Sequence, residues 1–254
     1  MSITMLCIFF ILGTCFGSFY TVVATHLVKD EPFLTTRSKC DNCSHPLSLL
    51  DMIPILSYIF LRGKCRYCHT KIDPLSTYME IFSGILFTTA YYVFGPTYEL
   101  FMALGIISLL LIVIITDVSS LIIPDELLIF MSLYFTIFDL LNIGIFGTLK
   151  AIGDGIILFL IMYFIMLIGN FIFKKESLGG GDIKMMFIFG HILGILAGIF
   201  SIFLGSIIAL PISIMFLVKE KEHVIPFGPF LLIALTLMYF TGINSETILN
   251  FLRW

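Results

Sequence analysis

Long apolar runs broken by short polar stretches dominate the chain. A helix that crosses a bilayer needs about 20 mostly apolar residues, and the pattern predicts such helices at residues 5–27, 78–94, 100–116, 127–145, 151–173 and 227–240. The apolar run 185–218 is too long for one upright helix and short for two; it reads as a tight hairpin of two spans, which brings the count to eight. No internal repeat or low-complexity tract is visible. Only residues 28–77 break the apolar pattern over any distance.

Composition agrees with this reading. The chain is 59% hydrophobic and 12% charged, against roughly 25% charged in a soluble domain. The net charge of −3 says little, because the placement of Lys and Arg is what orients a membrane protein. With residues 28–77 placed in the cytoplasm, twelve of the 14 Lys and Arg fall in cytoplasmic loops and only Lys150 and Arg253 lie outside. Merging the 185–218 hairpin into one span would move Lys219 and Lys221 outside, the less favoured arrangement. The first apolar run has no basic region before it and no small-residue cleavage site after it, so it reads as a retained helix. The expected fold is an all-α polytopic membrane protein in the cell membrane, with about eight transmembrane helices. Residues 1–27 form the first helix, 28–77 a small cytoplasmic insert and 78–254 the transmembrane core.

The insert holds four of the six cysteines, as Cys40-Asp41-Asn42-Cys43 and Cys65-Arg66-Tyr67-Cys68. Each knuckle offers two sulfurs from one tight turn, and the intervening loop brings the pairs together, which suits a tetrahedral thiolate site. In a reducing compartment disulfides are disfavoured, so Cys40, Cys43, Cys65 and Cys68 are candidate ligands of a structural zinc ion. His45 and His69 flank the knuckles and read as loop histidines. Cys7 and Cys15 read as small apolar residues of the first helix. Residues 47–61 are apolar but too short to span; they are expected to lie in the membrane surface or to form the insert's own core.

Two acids stand at helix ends on the cytoplasmic side: Asp117, closing the third span, and Asp182, opening the sixth behind Gly179-Gly180-Gly181. An ionisable residue near membrane depth is a functional candidate because burying it without a partner is costly. Two carboxylates that share a site hold a single proton between them, so that one serves as general base on a water while the other protonates the carbonyl under attack. The glycines would let an extended substrate approach the backbone and would adopt positive φ before the helix begins. The bland readings are a favourable first-turn acid and an interfacial acid. Asp125 and Glu126, behind Pro124, have a local explanation as first-turn acids; with Glu80 they are candidate accessory residues.

The chain resembles the type IV prepilin peptidases, including those serving competence pseudopili. The resemblance rests on Gly13-Thr14-Cys15-Phe16-Gly17-Ser18-Phe19, the two knuckles with Asp51-Met52-Ile53-Pro54-Ile55-Leu56-Ser57-Tyr58 and Arg62-Gly63-Lys64, Asp117 with Ile123-Pro124-Asp125, Leu178-Gly179-Gly180-Gly181-Asp182-Ile183-Lys184, and Ile225-Pro226-Phe227-Gly228-Pro229-Phe230. It implies a membrane aspartic endopeptidase that removes a short basic leader from prepilin or pseudopilin precursors at the cytoplasmic face, with Asp117 and Asp182 as the catalytic pair. The implied partners are those precursors and the lipid bilayer, with no nucleic-acid binding. Many members also N-methylate the new terminus with S-adenosylmethionine. Thr21 and His26 stand here where the family usually has Asn and Arg, and Leu75-Ser76-Thr77 replaces its Arg-Tyr-Pro. No glycine-rich dinucleotide-type loop offers separate support for binding that donor.

Two other classes fit part of the pattern. A proton- or ion-coupled transporter would place its acids near the bilayer midplane on paired broken helices, and a non-enzymatic assembly factor docking through the zinc module would leave the acids and glycines unexplained. A presenilin-type protease would need a Tyr-Asp pair in the third span, where this chain has Thr116-Asp117.

Overall fold

The computed structural model describes residues 2–29, 38–40, 42–174, 178–219 and 225–252. Residues 30–37 of the insert, Asp41, and the loop cations Lys175, Lys221 and Arg253 lie outside the described residues. The described residues are helical, with only two isolated bridges, Lys39 to Pro46 and Lys64 to Lys71, in place of strands. The chain divides into two compact units, Met1–Pro96 and Thr97–Trp254.

In the first unit, α1 (Ile3–Lys29) packs along α3 (Leu75–Phe94). Small residues permit the approach: a Cβ on Gly13 would stand 2.7 Å from the Ser83 carbonyl oxygen, and one on Gly17 2.8 Å from the Glu80 Cα. Without a hydrophobic drive between helices in lipid, such close backbone packing is what holds them together. Phe9 and Tyr91 stack across the same seam at 4.4 Å. Between the two helices lie a 3-10 turn (Leu49–Met52) and α2 (Leu56–Phe60). Leu49 and Phe60 are about four-fifths exposed, so this apolar stretch does not form a core for the insert.

The second unit contains α4 (Tyr98–Ser120), α5 (Asp125–Asn142), α6 (Gly144–Phe173), α7 (Gly180–Leu193), α8 (Ile195–Lys219), α9 (Gly228–Thr241) and α10 (Ser245–Leu252). The run 185–218 resolves into parts of α7 and α8, separated at Gly194, whose φ of +77° ends α7. Among the described residues four helices are long and apolar enough to cross a membrane: Ile3–Lys29, Tyr98–Ser120, Gly144–Phe173 and Ile195–Met215. At 14 residues each, α7 and α9 reach only about 21 Å. Central in this unit is α4, whose apolar stretch is largely buried, whereas that of α6 is hardly buried at all. α4 thus fixes Asp117 within the packed interior.

A buried polar tie joins three of these helices. The Tyr98 hydroxyl donates to Asp139 Oδ1. His191 Nε2 lies 2.9 Å from Asp139 Oδ2, off the line of a good hydrogen bond. Asp139 and His191 are 3% and 5% exposed. Because breaking a buried pair leaves an uncompensated group behind, Asp139→Ala is expected to destabilise the helical unit by on the order of 3 kcal/mol. A lowered thermal midpoint in detergent would register it; an unchanged midpoint would remove the tie from the account.

Candidate functional site

Asp117 occupies the last turn of α4 and is 5% exposed. The helix ends where Leu121 turns left-handed (φ 56°, ψ 31°) and returns its N–H to the Asp117 carbonyl at 2.9 Å. Pro124, in extended conformation, then starts α5. The Asp117 carboxylate accepts the Gly228 N–H at 3.1 Å through Oδ2. Gly228 is the first residue of α9, with Pro229 behind it. The opening N–H groups of a helix lack partners within it, and its dipole favours an anion at that end. A bond across 111 residues therefore brings together two groups that each suit the other.

Asp182 lies in the first turn of α7, behind Gly179. Its Oδ1 is buried without a hydrogen-bond partner, and such an atom is rare enough in a folded chain to call for a functional explanation. Asp117 stands close enough for its charge to act on Asp182. Ile123 packs against Gly181, beside Asp182, and against Gly228, which binds Asp117: a Cβ on Gly181 would meet the Ile123 Cβ at 2.8 Å, and one on Gly228 would meet its Cδ1 at 3.0 Å. The structure thus brings Asp117, Asp182, Gly181, Ile123 and Gly228 into one place.

The triple glycine works differently from the expectation. None of the three has positive φ; Gly179 is extended at φ −64°. Gly181 is needed because no side chain fits against Ile123, and a Cβ on Gly179 would come within 3.0 Å of Asp182 Oδ2. Gly180 has nothing within 4 Å. Close packing, rather than left-handed backbone, accounts for two of the three.

The accessory acids separate. Both oxygens of Asp125 take the Lys184 ammonium at 2.7 Å, at an exposed position two residues beyond Asp182. Glu126 is exposed on α5. Glu80 belongs to the first unit, where it is buried and accepts the Ile55 N–H at 2.8 Å. That bond holds Ile55 at φ +63°, an unusual conformation for a β-branched residue.

The four knuckle sulfurs lie within 4.8 Å of one another, with Cys40 and Cys68 at 3.8 Å. A tetrahedron with metal–sulfur bonds of about 2.3 Å has sulfur–sulfur edges of about 3.8 Å, so the cluster could hold a metal ion. Its backbone carries a repeat that the sequence does not display. Cys40 N–H donates to His45 O at 3.0 Å, as Cys65 N–H does to Thr70 O at 2.9 Å. Ser44 N–H returns to Cys40 O at 2.8 Å, as His69 N–H does to Cys65 O at 3.0 Å. Further out, Leu47 N–H to Ser38 O and Ile72 N–H to Gly63 O match at 2.9 Å. Ser44 and His69, at equivalent places, share φ of 56°.

The donor set also has the electrostatics of a cation site. The Thr70 side chain and amide hold the Cys68 thiol down at about 5. Cys43 goes the other way: the His45 amide pulls it down, but desolvation and the neighbouring Cys40 and Cys68 prevail and push it up to about 11. Four sulfurs this close do not ionise together unless a cation neutralises them. Outside the cluster, Arg66 and Tyr67, which lie between its second pair, bind Asp51 at 2.6 and 3.3 Å. Asp51, also bound by Ser48, is held at about 2 despite desolvation. His45 rests on the Tyr67 ring at 3.7 Å instead of joining the sulfurs.

Sequence reasoning missed Ile123 and Gly228 as parts of the acid site. The available signal was Phe227-Gly228-Pro229, a helix start beside a glycine.

Comparison with known proteins divides the chain at almost the same place as its packing. Residues 11–94 match the family model "Bacterial Peptidase A24 N-terminal domain", and residues 104–214 match "Type IV leader peptidase family". The chain is 32% identical to the prepilin leader peptidase/N-methyltransferase of Bacillus subtilis (strain 168), over 97% of each chain. It is 29% identical to the protein of that name from Aeromonas hydrophila, over 88% of this chain and 79% of the other. A third of the same name, from Myxococcus xanthus, is 32% identical over 72% of this chain and 55% of its own. No solved structure matches the chain.

Proposed function

The chain belongs to the type IV leader peptidase family, and from that premise we propose that it cuts the short basic leader from prepilin or pseudopilin precursors, with Asp117 and Asp182 as its catalytic pair. The observation that carries the assignment is the meeting of two acids from distant helix ends, one bound by a helix N-terminus and the other with a buried oxygen left unpartnered.

In the proposed reaction the two carboxylates share one proton. The ionised member takes a proton from a water, whose oxygen bonds to the scissile carbonyl carbon. The protonated member gives its proton to the carbonyl oxygen. As the tetrahedral diol collapses, one of its hydroxyls returns a proton to the second acid, the C–N bond breaks and the leaving nitrogen takes up the proton held by the first acid. Asp117, fixed by Gly228, and Asp182, free at Oδ1, are unequally solvated, which suits them to separate roles. Hydrolysis requires no cofactor.

Cys40, Cys43, Cys65 and Cys68 would hold zinc as a structural ion that locks the two knuckles together. Cys40→Ser or Cys68→Ser is expected to lower bound zinc and thermal stability while cleavage per folded molecule stays close to wild type. Metal analysis beside a melting curve reads this; unchanged activity and melting after complete zinc removal would refute the structural role.

The proposed setting is the cell membrane, with the cysteine insert and the acids at the cytoplasmic face. N-methyl transfer, which the relatives' names include, is the further activity to be tested, with S-adenosylmethionine as the proposed donor. The test is incubation of purified protein with a leader-bearing pilin-like precursor, with and without that donor, followed by product masses. A product shortened by the leader supports the peptidase reading, and an added methyl mass supports the second activity. Intact precursors throughout would refute the function proposed.

A further inference from the structure

The apolar stretch of the insert, which forms no core, turns its side chains outward: Leu49, Leu50, Leu56, Ile59 and Phe60 are each more than half exposed. A patch of this kind marks a surface that meets another apolar phase. Only one charge interrupts residues 47–61, and it is withdrawn. The Asp51 side chain, 3% exposed, is bound by Ser48, Arg66 and Tyr67. The backbone closes on itself as well. Ser57 N–H donates to Ile53 O at 3.1 Å, Ile59 N–H to Ile55 O at 3.1 Å and Leu61 N–H to Ser57 O at 3.0 Å, as hydrocarbon surroundings demand.

The level of this stretch follows from one hydrogen bond. Ile55 N–H donates to Glu80 Oε2 at 2.8 Å, and the Glu80 backbone packs against Gly17 of α1. The seam is antiparallel, since Gly13 meets Ser83 and Phe9 meets Tyr91. From Gly17 to Lys29, the last residue of α1, is about 18 Å of helix. At 27 residues α1 is about 40 Å long, about 10 Å more than a hydrocarbon core. Even with that whole surplus at the Lys29 end, the Glu80 level lies inside the hydrocarbon, and a glutamate side chain is too short to lift Ile55 out of it. Around the same level α1 exposes Phe16 and Phe19, and α3 exposes Tyr78 and Phe82. The outward face of the stretch therefore continues the apolar surface of the helix pair.

Cations follow where the stretch ends. Arg62, Lys64 and Lys71 are exposed, and among the described residues none of them is paired with an acid. The bridge between Lys64 and Lys71 sets two like charges face to face. Cys65 N–H to Thr70 O and Ile72 N–H to Gly63 O frame the pair, the arrangement in which facing side chains come closest. Like charges so placed repel unless an anion lies between them. We infer that residues 49–60 insert into the membrane leaflet at the Lys29 end of α1, with Lys64 and Lys71 on the anionic headgroups beside them. Lipid is the occupant because the stretch sits at a hydrocarbon level set by α1, which a soluble partner does not reach. Its cations come next in the chain, the order of an interface that passes from acyl chain to phosphate. The inference stands apart from the peptidase reading.

The test uses the full protein in lipid nanodiscs. Trp254, the one tryptophan of the chain, is removed by Trp254→Phe, and a new one is placed by Phe60→Trp. Phe16→Trp, at an exposed position on α1, is the reference. Lipids brominated along the acyl chain quench tryptophan on contact, and acrylamide quenches it from water. Bromolipid quenching of Phe60→Trp at least half that of Phe16→Trp supports the insertion. Weaker quenching overturns it: with acrylamide access the stretch faces water, and with shielding from both quenchers it is covered by protein. The cations are read separately, by comparing brominated phosphatidylglycerol with brominated phosphatidylcholine at equal mole fraction. Quenching about twofold stronger by the anionic lipid, lost in the double variant Lys64→Gln/Lys71→Gln, supports their role. Equal quenching by the two lipids, or a preference that survives the double variant, overturns it.

Discussion

Asp117→Asn and Asp182→Asn are each expected to lower the cleavage rate of a leader-bearing precursor by at least about 10³-fold. An amide can neither take the proton from the attacking water nor supply one to the carbonyl oxygen, so either single change stops the exchange on which the mechanism depends. The fold should survive both. At position 117 an amide oxygen can still accept the Gly228 N–H that now bonds to Oδ2, and at position 182 no existing hydrogen bond to Oδ1 is lost. Rates at saturating precursor, with circular dichroism and thermal unfolding of each variant, separate lost chemistry from lost structure. Substantial cleavage by either folded variant would exclude the acid pair.

Gly228→Ala carries the second large effect, through position alone. The added Cβ would stand 2.9 Å from Asp117 Oδ2, 3.0 Å from Ile123 Cδ1 and 3.2 Å from Val113 Cγ1. Something must shift, and the buried carboxylate is the nearest group. Misplacing a reacting group by around 1 Å costs about 10²-fold in rate, so kcat should fall by about that factor with KM little changed. Gly181→Ala, pressing on Ile123 from the other side, should behave similarly. Gly180→Ala is the control, since nothing lies within 4 Å of its added methyl group, and it should leave the rate near wild type. Equal losses in all three would mean that the glycines act through flexibility and not through packing.

The membrane character, the two acids and the four cysteines were legible because each depends on local pattern: run length, residue type and spacing. The contacts that place them were not. Asp117 meets Gly228 across 111 residues, and nothing in hydrophobic periodicity records which helix start will close on which helix end. Gly181 reads in sequence as a flexible residue, yet its role comes from Ile123, an apolar side chain on another segment. His191 and Asp139 look like isolated polar residues within apolar helices and become partners only once α5 and α7 pack together. The knuckle repeat was hidden for a different reason. It resides in backbone hydrogen bonds and in the φ of Ser44 and His69, which unlike side chains can share. Residues 47–61 left two readings open, and the exposure of Leu49 and Phe60 removes the one in which they form the insert's core.

The most direct test of the central claim is single-turnover cleavage of one precursor by the wild type, Asp117→Asn, Asp182→Asn and the double variant. Residues that act as one unit are strongly non-additive, each single loss costing about as much as the joint one. If the two acids share one proton and one water, the three variants will fall to the same low rate. If the double variant instead loses the product of the two single effects, or if either single variant cuts at a rate near wild type, the acids do not act as a pair and the mechanism proposed for this site is wrong.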